Sequence, residues 1–370
     1  MKKKKLFAPN FLLGLFIIFG LLLVGCQSED TGSDPSETPE EGSSEGEKAS
    51  GAESGSTLAT VKERGKIILG GNDQLPGFGY VNEDGDYEGF DIDFGKAIAA
   101  AVFDDPNALE VRPLSADERF TALQTGEVDV LIRNTTWTTS RDTDLGTNFA
   151  PTTFYDGQGI MVRKESGIET VKDLAGARIG VETGTTTELN LADQFRKLGI
   201  EYEQVVFDDS DALVAAYEEG SVDAWTTDKS GLVSRQATLS DPDAHIILDE
   251  TLSKEPLGPA VRHGDDQWFD IVKWVTYATM EAEELGITSE NVDDFLESEN
   301  PVVRRLLGQE GDLGSMLGLS NDFAYRVIKH VGNYEEIYNR HLGPDTPFKL
   351  ERGANSLWTE GGLLYSTPFR

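Results

Sequence analysis

Short apolar runs alternate with amphipathic segments along the middle of the chain, and this pattern predicts alternating strands and helices. Between residues 66 and 133 it predicts strands at 66–71, 109–114 and 128–133 and helices at 89–103 and 116–126. Asp91 is expected to cap the first helix, and Gly126 is expected to end the second. Strands separated by helices favour a mostly parallel sheet that is covered on both faces.

The same order of elements returns between residues 177 and 227. It predicts strands at 177–181, 202–207 and 222–227 and helices at 185–199 and 211–220. In both repeats a glycine after the second helix precedes a Val-Asp pair that opens the last strand, and both last strands end in threonines. Strand–helix units look alike in general, but the repeated order favours two similar open α/β lobes. Open sheets bind ligands beyond the carboxyl ends of their strands, so we expect a cleft between the lobes.

Hydroxyl side chains and one arginine, Arg141, follow the last strand of the first repeat. A guanidinium is a planar fork of donors that pairs with a carboxylate through two hydrogen bonds. Mounted beyond a rigid strand end, Arg141 would bind the carboxylate of a ligand. On composition alone, a surface ion pair of Arg141 with Asp142 or Asp144 is the simpler interpretation.

The second repeat offers complementary chemistry. Thr185 and Glu188 have the spacing of a capping box, which accounts for both residues without a ligand. The same helix N-terminus also presents backbone N–H groups to an anion. Asp228 follows the last strand and would either hold an ammonium or cap a helix. Together with Arg141, these groups would clamp a molecule that carries both a carboxylate and an ammonium.

Several long segments in order resemble the extracytoplasmic amino-acid-binding proteins of ABC transporters, in particular the general L-amino-acid-binding subgroup. They are GFDIDFGKAIAAAVF (89–103), RFTALQTGEVDVLIRNTTWTTSRDTDLG (119–146), YDGQGIMVRK (155–164), TGTTTELNLAD (183–193), KEPLGPAVRHGDDQWFDIV (254–272) and ERGANSLWTEGGLLYSTPFR (351–370). The resemblance covers about residues 61–370.

This resemblance implies a periplasmic-binding-protein-like fold of type II, with two open-sheet lobes joined by two hinge crossings and a ligand in the cleft. Lobe 1 is expected at residues 57–154 plus 251–370, where a helical addition occupies about 286–322. Lobe 2 is expected at 155–250. We expect the crossings near 153–157 and 248–253.

The resemblance also implies roles for single residues. In the family, the arginine that matches Arg141 binds the α-carboxylate of the ligand, helped by the positions of Thr136 and Thr186. The aspartate that matches Asp228 binds the α-ammonium, together with a backbone carbonyl near Asn134.

Three further residues belong to the expected ligand site. Thr185 lies at the helix N-terminus that faces the cleft. Many relatives stack the ligand between aromatic rings, but this chain has Leu75 and Ala116 at the matching positions. We therefore expect a loosely shaped side-chain pocket and broad specificity for L-amino acids.

The N-terminus predicts export and membrane anchoring. Residues 1–25 contain lysines followed by an apolar stretch, which is typical of a signal peptide. The ending Leu-Val-Gly-Cys resembles a bacterial lipobox, which implies that Cys26 is lipidated and holds the protein on the cell membrane, facing the periplasm or the exterior. An uncleaved anchor with an incidental cysteine is the alternative. Residues 26–56 predict a disordered acidic tether, because they contain no aliphatic residue larger than alanine.

Charge and composition narrow the partners. The formal net charge is −34, with 32 basic and 66 acidic residues, so nucleic acid is not an expected partner. The acidic excess raises the hypothesis of adaptation to a salty exterior, where salt screens self-repulsion. The expected partners are an L-amino acid, the permease subunits of an ABC transporter and the membrane, and the protein is expected to be a monomer.

Two rival classes of function remain open on the sequence. Some members of this fold are dehydratases that act on prephenate or arogenate, and Glu182 would be a candidate cleft acid for such an enzyme. None of the 4 histidines is adjacent in sequence to Arg141, Thr185 or Asp228, and no Cys/His cluster is present in the sequence, so no metal, cofactor or catalytic residue is expected. A sensor ectodomain is the third class, but no signalling domain is recognisable.

Overall fold

The computed structural model describes residues 56–370. The predicted signal peptide, Cys26 and the tether through residue 55 lie outside the described residues. The α-helices are α1 (Thr57–Arg64), α2 (Phe90–Phe103), α3 (Arg119–Thr125), α4 (Thr139–Thr143), α5 (Thr186–Leu198), α6 (Ser210–Glu218), α7 (Lys229–Gln236), α8 (Asp266–Glu284), α9 (Pro301–Leu306), α10 (Leu313–Met316), α11 (Phe323–His330) and α12 (Tyr334–His341).

The strands are β1 (Ile67–Gly71), β2 (Gln74–Leu75), β3 (Gly79–Val81), β4 (Tyr87–Glu88), β5 (Leu109–Pro113), β6 (Val130–Leu131), β7 (Thr147–Phe149), β8 (Phe154–Asp156), β9 (Gln158–Arg163), β10 (Arg178–Glu182), β11 (Glu203–Phe207), β12 (Ala224–Asp228), β13 (His245–Ile247), β14 (Glu255–Leu257) and β15 (Ala260–Arg262). Short 3₁₀ turns lie at Lys164–Ser166, Val171–Leu174, Pro242–Ala244, Asp294–Glu297, Gly353–Asn355 and Trp358–Glu360.

Two 5-stranded sheets organise the molecule, in the orders β5-β1-β6-β15-β7 and β11-β10-β12-β9-β13. In the first sheet β1 is parallel to β5 and β6, and in the second sheet β10 is parallel to β11 and β12. The parallel strands are the ones that the repeated strand–helix pattern predicts. β15 then pairs antiparallel with β6 and β7 in the first sheet, and β9 pairs antiparallel with β12 and β13 in the second.

Each sheet has its own hydrophobic core. The larger core lies where α2, α8, α11 and α12 pack on the first sheet, and it contains the rings of Phe78, Phe90, Phe154 and Tyr334. The second sheet has an apolar cluster on each face, formed with α5 on one side and with α6 and α7 on the other. The prediction of two open α/β lobes is confirmed.

The chain passes between the lobes in two neighbouring strands. β8 and β14 pair with each other in antiparallel register, and β9 of the second sheet begins directly after β8. The predicted range 153–157 contains β8. The predicted range 248–253 ends just before β14, and within it Leu248 and Leu252 still donate their backbone N–H groups to carbonyls of β9.

The start of α2 differs from the prediction. The helix begins after Gly89, which has a φ of 137° and lies so close to Phe78 that an added Cβ would sit 2.1 Å from Phe78 O. Within residues 56–370 no side chain caps this helix, and the Asp91 carboxylate instead accepts a hydrogen bond from Asn134 N at 2.6 Å. The prediction that Asp91 is a helix cap is therefore wrong.

Among the helices of the described residues, none combines the length and the apolar character needed to cross a membrane.

Candidate functional site

Arg141 is buried between the two lobes. It lies in the short helix α4, whose N-terminus is capped by Thr138, and only 7% of the residue is exposed. Its NH1 donates to Thr136 O at 2.9 Å, and its NH2 donates across the cleft to Gly184 O at 3.3 Å. The surface ion pair that composition favours is therefore wrong, because the side chain turns away from the adjacent acids and under the second lobe.

The guanidinium of Arg141 is largely shielded from water. Burial lowers the pKa of Arg141 to about 10, while the charges of Glu255 and Asp228 oppose that shift. The guanidinium carbon also lies 5.0 Å from the ring centroid of Phe120, a cation–π distance. A buried guanidinium whose hydrogen bonds end on carbonyl oxygens is suited to bind an anion.

Asp228 is the corresponding acid of the second lobe. It ends β12 and is 6% exposed, and its Oδ1 has no hydrogen-bond partner within the described residues. Although Asp228 precedes α7, its side chain makes no capping hydrogen bond within residues 56–370, so the helix-cap interpretation is wrong. Burial, and then the charges of Asp156 and Glu255, raise the pKa of Asp228 well above its ordinary value. A buried carboxylate in this state is stabilised by a cation.

The hydroxyls of Thr136 and Thr186 meet at a second acid of the cleft, Glu255, which the sequence does not single out. Both hydroxyls donate to Oε2 of Glu255, at 2.6 Å and 2.8 Å, and Asn190 Nδ2 donates to Oε1 at 2.8 Å. Glu255 is fully buried on β14, and Ser253 also donates to it. Glu255 lies in one of the segments that carry the family resemblance, but no spacing or periodicity there marks it as a buried acceptor, and only the folded contacts identify this role.

Thr185 has a different role from Thr186. Its hydroxyl accepts a hydrogen bond from Glu188 N at 3.1 Å and donates to Glu182 O at 2.7 Å. The capping box is only half formed, since the Glu188 carboxylate accepts from Gln204 instead. The hydrogen bonds of Thr185 remain within its own segment and do not reach Arg141 or Asp228.

Asn134 lies at the end of the first sheet in the left-handed region, with a φ of 33°. The backbone N–H of Asn134 donates to the Asp91 carboxylate, and Asn72 Nδ2 donates to the side-chain oxygen of Asn134 at 3.1 Å. Burial raises the pKa of Asp91 to about 7, although the hydrogen bond from Asn134 and the charge of Arg133 act in the opposite direction. Asp91 therefore positions the strand end that carries the backbone carbonyl expected to bind the ligand ammonium.

Leu75 and Ala116 lie where the lobes approach each other. Leu75 is 8% exposed, and its Cδ1 would lie 3.8 Å from a Cβ added to Gly231 of the second lobe. Ala116 is 1% exposed, and a Cβ added to Gly184 would lie 3.2 Å from Ala116 C and 2.8 Å from Asp117 Cα. Both residues border the cleft, and small or aliphatic side chains leave its walls without rings at these positions.

Two further arginines of the first lobe face the second lobe, and the sequence predicts neither of them as a cleft residue. Arg133 donates to Glu182 at 3.3 Å, so the candidate cleft acid Glu182 is ion-paired. Arg119, at the start of α3, is 3% exposed and donates to Gly184 O at 3.4 Å. The second lobe buries both side chains, and no local sequence pattern predicts a contact between distant segments.

The histidines lie outside this arrangement. His245 shares a hydrogen bond with Tyr217, His330 contacts Asp104, His341 contacts Asp93, and His263 lies 3.9 Å from Asp142. Within residues 56–370, no group of three or more His, Cys, Asp or Glu could hold a metal ion.

Two α/β lobes with paired linking strands and a charged cleft between them are typical of solute-binding proteins. Residues 67–291 match the bacterial extracellular solute-binding proteins of family 3. The chain belongs to this family, which confirms the resemblance seen in the sequence.

Named relatives cover most of the chain. The general L-amino acid-binding periplasmic protein AapJ of Rhizobium johnstonii is 54% identical over 321 residues, which cover 86% of this chain and 94% of that protein. The glutamate/glutamine/aspartate/asparagine-binding protein BztA of Rhodobacter capsulatus is 50% identical over 321 residues, which cover 86% and 95% of the two chains. A periplasmic binding protein of an ABC transporter from Brucella ovis, solved with glutathione bound, is 49% identical with a TM-score of 0.83, and the match covers 85% of this chain and 99% of that chain.

Proposed function

We propose that the cleft binds L-amino acids through both groups that these ligands share. Arg141 pairs with the α-carboxylate, and Asp228 pairs with the α-ammonium. The observation that carries the proposal is that the buried guanidinium of Arg141 and the buried carboxyl of Asp228 border the same cleft, where Asp228 Oδ1 has no donor within the described residues. A zwitterionic ligand satisfies both charges at once.

The hydroxyls of Thr136 and Thr186 complete the carboxylate subsite. In the structure each donates its single hydroxyl proton to Glu255, and on binding each hydroxyl turns that proton from Glu255 to the ligand carboxylate. The backbone carbonyl near Asn134 completes the ammonium subsite, since Asp91 fixes that strand end. Thr185 contributes by capping the helix that carries Thr186.

The bound amino acid is delivered to the permease of an ABC transporter. This step is supported by the relatives, which are described as periplasmic amino-acid-binding proteins and as part of such transporters. We place lobe 1 at residues 57–154 plus 251–370 and lobe 2 at 155–250, and the protein acts as a monomer. Cys26 carries lipid and holds the protein at the membrane surface, close to its permease.

Calorimetric titration of the purified protein with the twenty common L-amino acids tests the proposal. We expect several polar and aliphatic ligands to bind within about two orders of magnitude of one another, because a methylene in an apolar pocket changes binding by only about 1–3 kcal/mol. D-isomers should bind more weakly, since inversion at Cα misplaces one of the groups held there. Binding of none of these ligands contradicts the function, and one ligand roughly a thousandfold tighter than all others contradicts the breadth.

A further inference from the structure

Arg119 is a buried guanidinium of the cleft that has no carboxylate of its own. Its NH1 donates to Arg133 O at 3.3 Å and to Thr135 Oγ1 at 3.5 Å, and its NH2 donates to Gly184 O at 3.4 Å. Its Nε has no hydrogen-bond partner within the described residues. The hydrogen bonds of Arg119 are long and end on neutral oxygens. They therefore offset only a small part of the cost of removing its charge from water.

A second cation lies beside it. Arg119 and Arg141 both donate to Gly184 O, and their guanidinium carbons lie 5.3 Å and 5.0 Å from the ring centroid of Phe120. Burial, followed by the charges of Arg141 and Arg133, lowers the pKa of Arg119 well below its ordinary value, while the charges of Glu182 and Asp228 oppose that shift. Like charges held together in a desolvated site favour a nearby anion.

The carboxylates of the cleft already have other partners. Glu182 pairs with Arg133, and Glu255 accepts from donors of both lobes. Asp156 accepts from Ser230 and from its neighbouring backbone. In the proposed clamp, Asp228 takes the ligand ammonium. A ligand with a single carboxylate, bound by Arg141, would therefore leave Arg119 unpaired.

The position of Arg119 indicates which part of a ligand it meets. It opens α3, directly after the segment that begins at Ala116, and Ala116 borders the cleft at the position assigned to the ligand side chain. We propose that Arg119 forms a second anion subsite, which receives a carboxylate at the end of the ligand side chain. Acidic amino acids are therefore preferred over their amides. This specificity rests on the proposed function.

Glutamate and glutamine are the direct probes, because they have nearly the same shape and differ in charge. A charged hydrogen-bond partner predicts that the wild type binds glutamate about tenfold to a hundredfold more tightly than glutamine. In Arg119→Met the ratio of the two dissociation constants should fall to near one, while glutamine affinity changes by less than about threefold. Arg119→Lys keeps a cation and should retain part of the preference.

Arg262→Met is the matched control. Arg262 belongs to the same lobe and also donates to neutral oxygens, at Leu123 O and Val128 O, but away from the cleft. Arg262→Met should keep the wild-type ratio of the dissociation constants for glutamate and glutamine.

Three results decide the proposal. Equal binding of glutamate and glutamine by the wild type overturns it without any variant, even if Arg119→Met does not fold. An equal loss of both ligands in Arg119→Met also overturns it, because Arg119 would then serve the α-carboxylate or the fold. A wild type that binds no amino acid contradicts the proposed function itself.

Discussion

The hydroxyl oxygens of Thr136 and Thr186 lie 3.4 Å apart, although one residue follows the first sheet and the other begins a helix of the second lobe. Both donate to the same oxygen of Glu255, on a strand that links the lobes. A linking strand therefore carries the acceptor that joins hydroxyls of both lobes. In the proposed function, a ligand carboxylate binds where these hydroxyls meet Arg141.

Arg141→Ala should lower the affinity for every amino acid by at least about a hundredfold. Loss of one partner from a desolvated charge pair costs about 2–5 kcal/mol, and each 1.4 kcal/mol is about tenfold in affinity. Calorimetric titration measures the change. Arg196→Ala is the control, because Arg196 is an exposed arginine on α5 that pairs with Asp193. Binding by Arg141→Ala within about threefold of wild type would mean that Arg141 does not hold the ligand.

Cys26→Ala should leave the protein without lipid and should release or mislocalise it. Several acyl chains, at about 0.8 kcal/mol per buried methylene, hold a protein firmly on a bilayer. Labelling of cells with a radioactive fatty acid, followed by fractionation, measures both effects. Ligand affinity should stay unchanged, which separates anchoring from folding. Equal label in the variant and the wild type would disprove lipidation.

That Arg141 and Asp228 lie beside the cleft could be predicted, because their positions depend on local order in the chain. Arg141 and Asp228 each follow the last strand of a repeated strand–helix pattern, and the carboxyl ends of such strands meet at one edge of the sheet. The helix that Thr185 caps was predictable for the same reason, since capping is a contact between near neighbours in the chain.

Glu255 and Arg119 could not be predicted as cleft residues from the spacing of elements in the sequence. Glu255 is buried because donors from both lobes reach it, and Arg119 is buried because Gly184 of the opposite lobe covers it. Both are contacts between distant segments, so spacing in the sequence carries no signal of them. The cap predicted at Asp91 does not form for a related reason, because the Asp91 carboxylate accepts a hydrogen bond from Asn134 N, which lies at a distant strand end.

Asp91→Asn should flatten the dependence of the free energy of unfolding on pH. In the folded protein burial raises the pKa of Asp91 from 3.8 to about 7, so the folded state binds the proton more tightly than the unfolded state. The stability from this group is complete below pH 3.8 and is lost as pH rises through about 7. Asparagine does not titrate there, and its amide oxygen can still accept from Asn134 N.

Urea unfolding at several pH values between about 4 and about 8 measures this slope. Asp156 contributes in the same direction, since burial raises its pKa to about 6, so the variant should flatten the slope without abolishing it. Asp345→Asn, at an exposed aspartate, should keep the wild-type slope. Parallel curves for Asp91→Asn and the wild type would show that Asp91 does not retain its proton in the folded state.

Ala116→Phe should narrow the range of ligands. Ala116 is 1% exposed and lies against Gly184, so a phenyl ring has to take its space from the cleft. We expect affinity for ligands with long side chains to fall by about tenfold or more relative to alanine, because overpacking of this kind costs about 1–3 kcal/mol. Ala237→Phe, at an exposed alanine of the second lobe, is the control. A uniform loss across all ligands would argue that position 116 acts on folding or closure rather than on ligand size.

Gly184→Ala should weaken the binding of all amino acids by a similar factor, because it acts on the approach of the lobes. Gly184 has a φ of +70°, and its added Cβ would lie 2.8 Å from Asp117 Cα of the opposite lobe, closer than packed atoms approach. Gly184 O is also the acceptor that Arg141 reaches across the cleft. Separation of the lobes at this point removes that contact and exposes the clamp to water, where charge pairs are weaker.

Gly199→Ala separates backbone strain from the clash. Gly199 has nearly the same conformation, with a φ of +68°, but nothing lies within 4 Å of its added Cβ. Both variants should lose about 1 kcal/mol of stability, because a left-handed conformation disfavours alanine. Titration with alanine and with glutamine should then give wild-type affinities for Gly199→Ala and a loss of at least about tenfold for Gly184→Ala. If both variants bind alike, the contact between Gly184 and Asp117 does not form part of the ligand-bound state.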